Sequence, residues 1–147
     1  IGLRNPAHAL VKLMNPVDGP ALVVASYTHP EYAESMAATF RLMRTPALLL
    51  RGTEGEPVAD PRRTPRMDLF LNGESHTVQD AQPGPLATLP ALPTSTDAAV
   101  TADYIRDVME GRLPPPEPIL LQVEHIVRAC KALEAEADPT CLQELAA

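Results

Sequence analysis

The stretch ALVVASYTHPEYAESMAATFRLMRTPALLLRG, residues 21–52, decides the fold. Its two ends, Ala21–Ser26 and Pro46–Gly52, are short continuous apolar runs rich in Val and Leu, the pattern of strands buried on both faces. Between them, from Pro30 to Met43, apolar side chains recur at helical spacing: Tyr32, Met36, Phe40 and Met43 share one face, and Glu31, Glu34 and Arg41 lie off it. A strand, a helix and a strand of these lengths predict a βαβ unit with parallel strands and a right-handed crossover. In such sheets ligands gather beyond the carboxyl ends of the strands. The loops YTHP (27–30) and RGTEGEP (51–57) are therefore the first places to look for a site.

Upstream of this unit, Asn5 is a good N-cap, Pro6 suits a first turn, and Ala7, Leu10, Val11 and Met14 recur at helical spacing, which predicts a helix over Pro6–Met14. Asn15-Pro16 ends it, because proline disfavours helical geometry in the residue before it. Downstream, DPRRTP (60–65) is turn-rich and basic, and MDLFLNG (67–73) with SHTVQD (75–80) predicts a pair of short strands about a turn at Asn72-Gly73. From Ala81 to Thr96 the prolines at 83, 85, 90 and 93 exclude a regular helix or central strand, so an extended surface connection is expected.

Two helices follow. Ser95 or Thr96 is expected to cap the first, with Ala98, Ala102, Ile105, Val108 and Met109 as its buried stripe and Gly111 as its stop. After the stiff spacer PPPEP (114–118), the second carries Ile119, Val123, Ile126, Cys130 and Leu133 on one face. The tail from Thr140 to Ala147 is expected to add a final turn or two. Two parallel strands and a hairpin make a small sheet for so many helices, so part of a larger α/β sheet is expected to lie outside this chain.

The length of 147 residues suits one domain, and a net charge of -7 argues against a general electrostatic grip on nucleic acid or anionic membrane while leaving room for a local basic patch. No apolar run approaches the roughly 20 residues of a membrane span, and no secretory pattern is seen. Cys130 and Cys141 stand without metal-type partners nearby and read as reduced, structural thiols in a cytoplasmic protein.

Taken alone, the chemistry-bearing residues are individually weak signals. His8, His29, His76 and His125 are scattered and show no metal-ligand spacing; His29 stands out for its place in a loop at a strand's carboxyl end. Glu54 and Glu56 read either as carboxylates holding Mg²⁺ and, through it, a phosphate, or as a solvated acidic turn. No Walker-type or dinucleotide-type glycine pattern is present. Arg4 and Lys12 lie about 12 Å apart along a helix axis and are either phosphate contacts or solvated cations. Arg62, Arg63 and Arg66, with Arg51 nearby, have the planar forks that suit phosphate oxygens. With only two Phe and three Tyr in the chain and none interleaved here, solvated loop charge is the alternative.

The order of the pieces resembles a known family. GLRNPAHALVKLMNP (2–16) is similar to the G-x-R-T-x-x-N-x-x-G-P-L-x-N-P segment of anthranilate phosphoribosyltransferases, in glycosyltransferase family 3, and closer to the form found in their YbiB-like, nucleic-acid-binding relatives. Agreement continues in THPEY (28–32), RGTEGEP (51–57), DAAVTADYIRDVMEG (97–111) and PPPEPILLQVE (114–124), collinear from Gly2 to about Ala132.

The resemblance implies the carboxyl-terminal part of a nucleoside phosphorylase/phosphoribosyltransferase-type α/β domain, a mainly parallel sheet flanked by helices. Residues 1–16 would be a helix at the hinge to a helical domain, through which a homodimer forms, and residues 17–147 the α/β part. It places the family's metal pair around Glu54 and Glu56, although GTEGEP lacks the adjacent Asp-Glu, and its substrate pocket around His8, Asn15 and His29. Val11-Lys12 replaces the enzymes' Gly-Pro and His8 their Asn, which fills a narrow cleft and adds a cation.

Two functions follow from the resemblance. One is a non-anthranilate, nucleic-acid-binding protein using Arg4, Lys12, Arg62 and Arg63. The other is an Mg²⁺-dependent transferase using phosphoribosyl pyrophosphate on an unknown acceptor.

Overall fold

The computed structural model describes residues 10–53, 56–84 and 86–137. Four strands, β1 (Val23–Tyr27), β2 (Ala47–Arg51), β3 (Met67–Leu71) and β4 (Glu74–Gln79), form one sheet in the order β1-β2-β3-β4. Among the described residues it is accompanied by the helices α1 (Pro30–Met43), α2 (Ala98–Met109) and α3 (Glu117–Ala137).

β1 and β2 pair in parallel, Val23 opposite Ala47 through Tyr27 opposite Arg51, as the βαβ reading expects. The other two pairings are antiparallel, so the sheet is mixed and the expectation of a mainly parallel sheet is corrected. The cause is in the connections. No helix is described between β2 and β3 to carry the chain back for a parallel entry, and β3 joins β4 through the two-residue turn Asn72-Gly73. Both turn residues have positive φ, 53° and 87°, as a type I′ hairpin turn requires. Asn72 supplies it as the non-glycine residue best suited to that region, and its amide donates to the Glu136 carboxylate near the end of α3.

β2 organises the core. Its side chains alternate, so Ala47 and Leu49 join Ala25, Phe40 and Phe70 on one face, with Met36 and Ala37 of α1 packed against them. Leu48 and Leu50 join Ala59 and Met67 on the other, with Ile126 of α3 among the surrounding apolar groups. Phe40 and Phe70 meet at 5.5 Å between ring centroids, and the Arg41 guanidinium lies 5.6 Å from the Phe70 centroid.

α1 begins at Pro30, with extended His29 before it, and ends with Arg44 in the left-handed region, where the N–H of Thr45 donates to the carbonyl of Phe40. Its expected bounds hold. Its expected stripe is half right: Phe40 is buried and Met36 packed, but Tyr32 is 54% exposed and Met43 faces solvent as well. β1 runs two residues later at its start than expected and only Ala25 and Ser26 are buried, because it is an edge strand among the described residues.

The later helices depart further. Asp97 caps α2, its carboxylate accepting from the N–H groups of Ala99 and Val100, while Ser95 Oγ instead accepts from the Asp97 N–H. No residue of α2 is buried, and Met109 of its expected stripe is 81% exposed. α3 is rotated by about one position relative to expectation: Pro118, Gln122 and Ala129 are buried and Val123 faces solvent. Ala129 is small enough for close approach to the sheet, and Gln122 is inside because its amide oxygen and nitrogen each bond the backbone, at Ala59 and Pro57.

Residues 81–96 hold no helix or strand among those described, as the prolines require. Leu10 and Val11 are helical and a turn follows, with the Leu13 N–H donating to the Leu10 carbonyl. The expected first helix thus stops at Val11 and does not reach Met14; its residues 6–9 and the tail from Thr140 fall outside the described residues, as does Cys141, while Cys130 is a half-buried free thiol. Among the described residues no helix is long and apolar enough to cross a membrane.

Two outcomes test this packing. Leu50→Ala, which empties a fully buried position on β2, should lower unfolding free energy by about 2–5 kcal/mol in urea titrations. The second concerns His125, which faces an apolar groove beside Leu69, Leu71 and Val78 with its Nε2 buried and unbonded among the described residues. Desolvation, aided by Arg128 and opposed by Glu124, holds its imidazole below the ordinary 6.5. The unfolded chain then binds the proton more readily, so this contribution to stability is intact above about pH 6.5 and declines as pH falls through the lowered native value. Urea midpoints measured down this range should fall less for His125→Phe than for the parent chain.

Candidate functional site

The parallel pairing of β1 and β2 brings their carboxyl ends to one side of the sheet, and a cleft of about 470 Å³ opens there. Arg51 ends β2, and Arg63 and Arg66 come from the loop between β2 and β3; all three line the cleft. Tyr27, the hydroxyl-bearing Thr28, Thr53 and Thr64, and Asp60 complete its polar wall.

The three arginines are not equivalent. Arg66 is fixed by Asp68, with Nε at 3.0 Å from both carboxylate oxygens, and donates to Thr77 Oγ1 at 2.8 Å. The hydrogen bond to Asp68 and that carboxylate's charge push its guanidinium above the ordinary value. Arg51 and Arg63 are exposed, and among the described residues neither guanidinium is in an ion pair. Those two forks are available to an incoming anion.

Asp60 builds the turn that holds Arg63. Burial alone would raise its carboxyl, but hydrogen bonds from the backbone and side chain of Arg62 and the charges of Arg62 and Arg63 outweigh that and hold it below its ordinary value. Arg62 is thereby directed at Asp60, 3.1 Å away, and does not line the cleft.

The floor depends on Gly52, whose N–H donates to the Tyr27 carbonyl at 3.0 Å. A Cβ there would stand 3.0 Å from the Glu56 carbonyl and from both Cβ and Oγ of Ser26. Ser26 Oγ is buried with no hydrogen-bond partner among the described residues.

Of the residues singled out in the sequence, Arg63 lines the cleft and His29 stands at its edge, exposed, with Nδ1 2.9 Å from Thr28 Oγ1 and its ring edge-on to Tyr32. Glu56 accepts a hydrogen bond from Thr53 Oγ1 at 2.9 Å, beside the cleft. Asn15 accepts from the Val17 N–H at 3.1 Å, a local turn, and neither it nor exposed Lys12 lines the cleft. Arg4, His8 and Glu54 fall outside the described residues. Among those described, no group of three His, Cys, Asp or Glu side chains is placed to hold a metal ion.

Tyr27 and Asp60 were not among the candidate site residues, whereas Arg66 belonged to the basic loop weighed as a phosphate contact and lines the cleft. Arg51 had a signal: it is the last residue of a predicted parallel strand. Gly52→Ala should destabilise the chain by about 1–3 kcal/mol in denaturant unfolding, because the contacts it meets include backbone and a buried side chain that have little room to move.

No family model matches this chain. It is 36% identical over 124 residues to the protein named Uncharacterized protein YbiB of Escherichia coli (strain K12), an alignment covering 84% of this chain and 38% of that relative. The chain thus spans well under half the length of the relative it matches. Over most of its own length the chain is therefore similar to that YbiB protein.

Proposed function

We propose that this chain is part of a phosphoribosyltransferase-fold protein that binds nucleic acid, and that the cleft beyond β1 and β2 receives phosphates of the nucleic-acid backbone. One observation carries the reading: Arg51 and Arg63, exposed and outside any ion pair among the described residues, converge on a cleft already lined by Arg66 and by threonine hydroxyls. Guanidinium forks match phosphate oxygens, and hydroxyls add neutral donors. A protein of net charge -7 can hold a polyanion in this way because screening confines the repulsion of distant carboxylates to about a Debye length, some 8 Å at physiological salt. Dimerisation through the helical domain, which the resemblance implies, would set two such clefts in one particle.

The transferase reading uses the same place differently. Mg²⁺ held at Glu54 and Glu56 would supply charge neutralisation to a leaving diphosphate, and the arginines would orient it. The position of Glu56 beside the cleft favours keeping this reading in the test.

Fluorescence anisotropy with labelled single-stranded oligonucleotide separates them. The parent chain should bind, and raising salt from about 50 to 200 mM should loosen it. Arg51→Ala with Arg63→Ala should weaken binding for all sequences alike and reduce the salt slope by about one per arginine. Binding that is indifferent to salt and to both substitutions would sink the nucleic-acid reading. Diphosphate release from phosphoribosyl pyrophosphate and Mg²⁺ would favour the transferase instead.

A further inference from the structure

Arg63 sits on a loop, yet the loop is stapled at both ends. On one side Gln122 of α3, only 4% exposed, accepts from the Ala59 N–H through Oε1 and donates through Nε2 to the Pro57 carbonyl, both at 2.8 Å. This pair satisfies one buried backbone donor and one acceptor with a single side chain, the pattern that strand pairing would otherwise supply. On the other side the Gln82 N–H donates to the Thr64 carbonyl at 3.0 Å, and Thr64 Oγ1 lies 3.2 Å from Gln82 Oε1.

The path from the first staple to Arg63 is short and stiff. Ala59 is buried against Leu48, Leu50 and Met67, Pro61 has a fixed φ, and the Arg62 N–H donates to Asp60 Oδ1 while the Arg63 N–H donates to the Asp60 carbonyl. Little backbone freedom remains between Gln122 and Arg63, whose side chain lines the cleft.

We infer that Gln122 is a positioning residue for the cleft: by clamping Pro57 and Ala59 to α3, it sets where Arg63 meets a bound phosphate, so that helix docking and anion binding are coupled. The binding half of this inference rests on the nucleic-acid reading above; the clamp itself does not. Reciprocity then requires that a ligand in the cleft tighten the clamp.

Amide hydrogen exchange and oligonucleotide binding, both on the full chain, test it with Gln122→Met, which keeps the length and removes both hydrogen bonds. In free protein the hydrogen-bonded amides of Ala59, Arg62 and Arg63 should exchange about tenfold faster while those of β2 and β3 keep their protection. Affinity for labelled oligonucleotide should drop about tenfold and the salt slope should fall by about one, the signature of a lost arginine contact that simple loss of stability would not produce. Local loosening with affinity and slope unchanged would overturn the positioning role, and so would exchange that rises nowhere or everywhere equally.

If the substituted chain does not fold, the parent chain decides. Saturating oligonucleotide should slow exchange at Ala59, and an unchanged rate there would refute the coupling. If the parent chain holds no oligonucleotide, the nucleic-acid reading and the coupling to it fall together, and the exchange comparison then settles the clamp alone.

Discussion

The structure depends on one strand being covered on both faces. β2 reads Ala-Leu-Leu-Leu-Arg, and its first four residues are buried, so successive side chains need apolar partners on opposite sides of the sheet. The helix returning from β1 covers one side through Phe40 and Met36, and the loop residue Ala59 with Ile126 of α3 helps to cover the other. The fifth residue breaks the pattern. Arg51 emerges where coverage ends, at the carboxyl end, which is also where the parallel neighbour ends. The cleft therefore arises from the same alternation that builds the core.

How far this could be read from the sequence varies by element. The βαβ unit and the Asn72-Gly73 hairpin were legible because local chemistry fixes them: apolar runs of strand length, a proline at the start of α1 and a residue pair suited to positive φ. The mixed sheet was less legible, since two antiparallel pairings turn on how a loop without a crossover helix returns. The face of α3 was misjudged because a stripe drawn from apolar residues alone passes over Gln122. A glutamine whose donor and acceptor both find backbone partners is as much an interior residue as a leucine, and those partners are more than sixty positions away in the chain.

The candidate site shows the same division. A cluster of arginines marked the loop, but spacing alone did not tell which would face a ligand. Asp60 draws Arg62 away and Asp68 fixes Arg66, leaving Arg51 and Arg63 as the cations with room to respond. Those distinctions are made by carboxylates two positions distant and by the turn they stabilise, a level of detail that composition and net charge average out.

The two borders of the sheet differ in a way that bears on handling the chain. β4 is an edge of polar character, with Glu74, Ser75, His76 and Thr77 along it. β1 is Val-Val-Ala-Ser-Tyr, with neither a charge nor a proline, and no further strand is paired to it among the described residues. Natural edges are usually blunted against accidental templating. In concentrated solution this one favours lateral pairing between separate molecules, and because Val24 packs against Leu48 and Leu50 no charge can be placed there to blunt it, so the isolated chain is best kept dilute.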